Sequence, residues 1–194
     1  MIGEEKSPVS ISGLSPKKQL AFALLVFERM LPCLIAFSKD TGFDDSCYLH
    51  AKDAAWAALE NAPVDQSLNV ACRRGAPDTE EYRHELTSFA LDTALAMSDI
   101  MEFAQDGCTD HITSVTTRAG ESVYLYINGL DDSVVTAPEK VCQFASHPLM
   151  QDEHRREESD IRFLANLPEQ FNDETILSLR TRADCQAPLL PLAC

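Results

Sequence analysis

Between Leu20 and Phe27 the chain carries eight consecutive residues without a polar side chain, LAFALLVF. At 100° per residue such a run covers the whole circumference of a helix, so no face is left for water. Ser15 fits the N-cap position and Pro16 the first helical residue, and Gly42 is a natural stop. The pattern predicts a central helix from Pro16 to about Ser38, kinked near Pro32 and wrapped by the rest of the protein. Glu28, Arg29 and Pro32 interrupt the apolar run, which favours burial in protein over lipid.

Amphipathic helices follow in order. Asp44 or Asp45 caps one that runs through Trp56 to Asn61, with Pro63 beyond it. A short helix spans about Asp65 to Arg74 and ends at Gly75. Asp78, with Glu81 three residues on, has the shape of a capping box. A short first turn there leads into a long helix of about His84 to Gln105. Leu86, Phe89, Ala90, Thr93, Met97, Ile100, Met101 and Ala104 share one of its faces. Asp92 and Asp99 lie on the opposite side, where solvated surface is expected. Thr109 caps the next helix. There the composition of residues 123–127, VYLYI, suggests strand. The recurrence of Ile112, Val115, Ala119, Val123, Tyr126 and Leu130 at three and four outweighs it, and predicts a helix to about Gly129.

Residues 131–137 read as a loop, and Pro138 as the start of a short helix through Cys142 and Phe144. His147-Pro148 begins a helix to about Asn166, and Pro168 begins the last, through Ile176 and Leu179. These elements predict an all-α, single-domain bundle of about seven helices around the buried N-terminal helix. Residues 1–13 form a flexible arm, 14–186 the helical domain and 187–194 a C-terminal tail.

Composition narrows the function classes. The formal charge of −15 repels phosphate backbones, so nucleic acid and anionic membranes are poor partners. The seven cysteines include no CxxC pair, which excludes a zinc ribbon or thioredoxin-type motif and suits a reducing cytoplasm. The first residues, Gly3-Glu4-Glu5-Lys6, lack the basic-then-apolar pattern of a secretory signal. No GxSxG elbow and no phosphate loop occurs. A di-metal carboxylate site needs paired Glu-x-x-His motifs. The chain offers Glu81-x-x-His84, while His154-x-x-Glu157 runs in the opposite order. No cofactor or metal is expected.

The candidate chemistry lies where charges interrupt apolar patterns. Glu28 and Arg29 stand in the central helix, pointing about 100° apart, so each needs a partner on another helix if buried. On the helix after Pro148, Glu153, Glu157 and Asp160 share a side with Leu149, Leu164 and Leu167. Two arrangements are open. The first turns could project past the core, with the acids meeting water or a base such as Arg29. Alternatively Glu28, Arg29, Glu153 and Glu157 line a polar pocket between helices.

The chain resembles the YjaG-like bacterial proteins, the domain of unknown function 416 family. The resemblance rests on LSPKKQL at 14–20 leading into ERMLP at 28–32, on TGF at 41–43, on ALDTALAMS at 90–98, and on HPLM at 147–150 with Glu153 after it. It implies a compact helical cytoplasmic protein and favours Glu28, Arg29 and Glu153 as a shared polar feature. It implies no activity. Two classes of function stay open. One is a non-enzymatic interaction or regulatory protein, forming a homodimer or binding another protein. The other is an enzyme or small-ligand binder using the carboxylate/arginine pocket.

Overall fold

The computed structural model describes residues 10–130 and 144–191. These form seven α-helices and no strand: α1 Pro16–Thr41, α2 Ser46–Ala58, α3 Gln66–Arg74, α4 Thr87–Asp106, α5 Thr109–Leu130, α6 Pro148–Ala165 and α7 Asp173–Cys185. The expected short helix after Pro138 lies outside the described residues, apart from Phe144, which is buried.

Helix α1 is the axis. Every residue from Ala21 to Phe27 is fully buried. Helices α2, α4, α5, α6 and α7 all pack against it. By length and composition α1 could cross a membrane, but 78% of its apolar window is covered by the protein itself. Its apolar surface is therefore covered largely by the other helices. The helix runs without interruption through Pro32. Lys18 is buried at its N-terminal end, where Nζ donates to the Leu167 carbonyl at 2.8 Å and pairs with Glu169 at 2.7 Å.

Local chemistry sets the ends. Asp44 Oδ1 accepts from Ser46 N at 3.0 Å ahead of α2, and Asp65 Oδ1 accepts from Ser67 N at 2.8 Å ahead of α3. Gly42 and Gly107 close α1 and α4 with φ of 74° and 69°. Two boundaries differ from expectation. Asp78 closes a single turn, with Tyr82 N donating to its carbonyl at 2.9 Å, and α4 starts only at Thr87. Pro168 precedes a turn, and Asn172 is the N-cap of α7, its Oδ1 accepting from Thr175 N at 2.9 Å.

The segment with strand composition is helical within α5, with Val115, Ala119 and Val123 facing the core. Asp92 and Asp99 are not on open surface. Asp92 Oδ2 accepts from Ser122 Oγ at 2.9 Å, and Asp99 Oδ2 pairs with Arg118 Nε at 2.8 Å, both across the α4–α5 seam. Burial pushes the Asp92 carboxyl up to about 6, against the Ser122 hydrogen bond. Helix α5 covers part of the side of α4 opposite its apolar face, through Ser122 and Arg118.

Candidate functional site

Arg29 sits midway along α1, and its guanidinium is 1% exposed. Nε donates to both Glu153 oxygens at 3.1 and 3.2 Å, and Nη2 donates to Glu153 Oε1 at 2.5 Å. Nη1 donates to Asp160 Oδ2 at 2.7 Å, to Gln186 Oε1 at 2.5 Å and to the Leu25 carbonyl at 3.2 Å. Asp160 is itself shared: its Oδ1 accepts from Arg182 Nε at 2.7 Å and Gln186 Nε2 at 2.8 Å. The Arg29 carbonyl accepts from Leu189 N at 2.7 Å, which docks the start of the tail. A single residue thus binds α1 to α6, to the C-cap of α7 and to the segment after it.

The spacing of α6 makes this possible. Glu153 and Asp160 are two turns apart on one face, so their carboxylates reach opposite edges of the same planar guanidinium. Burial opposes the charge on Arg29, but Glu153 and Asp160 outweigh it and hold the guanidinium above its ordinary value. The acids of α6 therefore do not project past the core; Glu153 and Asp160 are enclosed at 3% and 0% exposure.

The remaining sequence candidates divide. Glu157 lies beside the tie, where burial first, and the Glu153 and Asp160 charges with it, raise its carboxyl to about 7 despite Arg29. His154 Nδ1 lies 3.8 Å from it on the exposed side. Glu28 faces away from the group, as its 100° offset from Arg29 requires. Its Oε1 accepts from Trp56 Nε1 at 2.9 Å and lies 3.8 Å from Lys52 Nζ, which ties α1 to α2. The geometry brings Arg29, Glu153 and Glu157 together, and places Glu28 in a separate contact.

Above the tie, α6 and α7 enclose an open groove of about 690 Å³. Asp152, Arg155, Arg156 and Phe163 line one wall, Ser178 and Arg182 the other, and Gln186 links its floor to Arg29. Arg182 stacks over Phe163 at 4.7 Å and donates Nη2 to Ser159 Oγ at 2.9 Å. Sequence reasoning missed this groove, because its two walls belong to different helices and share no local motif.

A second cluster was also unforeseen. Asp99, Glu102 and His111 each offer a ligand atom, all within 4.8 Å of one another. Arg118 already binds Asp99 and Arg73 binds Glu102 at 2.7 Å, while His111 bridges Glu102 and Asp106. Arg118 and Arg73 already occupy these carboxylates, so the group ties α3, α4 and α5 together through ion pairs. Burial pushes the Cys33 and Cys72 thiols up to about 12, which makes them poor nucleophiles at neutral pH.

The fold and this site define a class: an all-helical protein with a buried arginine tie at its axis and an arginine-lined groove on its surface. The family model described as "Protein of unknown function (DUF416)" matches residues 8–187, and the chain belongs to that family. The crystal structure of a DUF416 family protein from Shewanella baltica OS155 has a similar fold. Its TM-score is 0.79 at 19% identity, over 90% of this chain and 91% of that one. No curated protein matches the chain.

Proposed function

We propose that the protein is a non-enzymatic, cytoplasmic interaction protein of a regulatory kind, and that its partner docks in the groove between α6 and α7. The observation that supports this reading is the division of charge. Arg29 and the acids of α6 close on each other inside the protein, whereas Arg155, Arg156 and Arg182 line an open concave surface. An enzyme or small-ligand binder working through Arg29 would need that guanidinium to meet a ligand. Each of its three nitrogens donates to a protein acceptor and it is closed to solvent. The charge of −15 disfavours nucleic acid and anionic membrane as partners.

The test is affinity capture from native lysate with wild type beside Ser178→Trp, since Ser178 is an exposed groove residue on α7. The expected result is a protein, either a separate partner or a second copy, retained by wild type and lost by the variant. The same set on both, or nothing on either, would overturn the groove as the docking surface.

A further inference from the structure

The lining of the groove is basic in a molecule that is acidic overall. The chain is at −15, yet three arginines line this surface against one carboxylate, Asp152. Asp160 is shared between Arg182 and Arg29; with Asp152 and Glu153 it makes three carboxylates against the four guanidiniums of Arg29, Arg155, Arg156 and Arg182, which leaves one positive charge in excess. Arg156 Nη1 donates to the Ala187 and Pro188 carbonyls at 3.3 and 3.2 Å, which hold it in place without cancelling its charge. The carboxylate near it, Glu153 at 3.9 Å, is bound closely by Arg29. Arg155 pairs with Asp152 in the open, with 71% of its side chain exposed. Such exposed pairs are weak and exchange readily for a better acceptor.

The positions of these groups are held from behind. Phe163 stacks on Arg182, and the tail carbonyls orient Arg156. A guanidinium fork held in place loses less freedom when it takes a carboxylate, and it takes one bidentately. The shape selects the kind of ligand. Small molecules are bound by sites that bury most of their surface. This groove is open to solvent rather than enclosed, as a surface that receives a segment of another chain is.

We propose that the α6–α7 groove receives an acidic, extended peptide segment of a partner protein, its carboxylates meeting Arg155 and Arg156 on one wall and Arg182 on the other. This rests on the groove being the docking surface proposed above, and names the chemistry of what docks there.

The experiment is a fluorescence-anisotropy titration of the full chain against a short acetylated peptide of alternating glutamate and serine. The same peptide with glutamine for glutamate is the control. Binding is expected for the glutamate peptide alone, weakening as salt is added. Arg155→Ala with Arg156→Ala should weaken it about tenfold or more. Because Arg156 holds the tail, Arg155→Glu serves as a second variant that leaves those contacts intact, and it should weaken binding likewise. No binding, equal binding of the glutamine peptide, or unchanged affinity in both arginine variants would overturn the proposal. So would binding of inorganic phosphate without the peptide, which would make the groove a small-oxyanion site. If Ser178→Trp removes a captured partner that the arginine variants retain, the groove reading stands and the acidic-segment inference fails.

Discussion

Glu157 shows how one side chain can be displaced from its usual chemistry by its neighbours. Its carboxyl is raised to about 7 by burial and by the charges of Glu153 and Asp160. A glutamate whose folded value lies above its unfolded value stabilises the protein fully below about pH 4.5. That contribution is lost as pH rises through about 7. Glu157→Gln, which stays neutral, should therefore be more stable than wild type at pH 8 by roughly 1–3 kcal/mol. Near pH 5 the two should converge. Thermal melts at both pH values check this, and an equal difference at both would contradict it. Glu28 is partly buried, its Oε1 accepting from the Trp56 indole with Lys52 nearby. Glu28→Gln keeps an acceptor for Trp56, so it should cost about 1 kcal/mol or less by urea titration. Tryptophan emission should stay close to wild type.

Among the elements, what could be read from sequence was what lay within one turn or one face. Helix α1 was legible because eight apolar residues leave it no exterior face. Helix α5 was legible because Ile112, Val115, Ala119 and Val123 keep a helical period through a stretch of strand-like composition. The caps were legible where Asp or Gly acts within two or three residues, as at Asp65 and Gly107. Boundaries failed where a turn intervened. Thr87 Oγ1 binds the Tyr82 and His84 carbonyls and holds a non-helical corner ahead of α4, for which no periodicity exists. The end of α4 offers a direct test. Gly107 has φ of 69° and nothing crowds its Cβ direction, so a side chain there meets backbone strain alone. Gly107→Ala should lower stability by about 1–2 kcal/mol, read by melting. An unchanged melt would mean that the corner relaxes.

At the scale of the whole molecule the decisive contacts join residues far apart in the chain. Arg29 meets Glu153, Asp160 and Gln186 across 124, 131 and 157 positions. The sequence pointed to the participants, since acids on an apolar stripe and an arginine in an apolar helix both demand partners. It could not say which acid would meet Arg29. Glu28 bonds Trp56 instead, and Asp160 joins the tie, because pairing depends on how α6 and α7 lean on α1. The groove was illegible for the same reason, being made by the approach of two helices. Arg29 is the rivet that holds α6 and the C-cap of α7 to α1 beneath the groove. The most direct test is equilibrium urea unfolding of Arg29→Ala beside wild type. Removing the guanidinium leaves Glu153 and Asp160 buried without their shared partner, and stability should fall by about 3–5 kcal/mol. An unfolding midpoint equal to wild type would contradict the tie, and with it the claim that the groove is held in shape by the core.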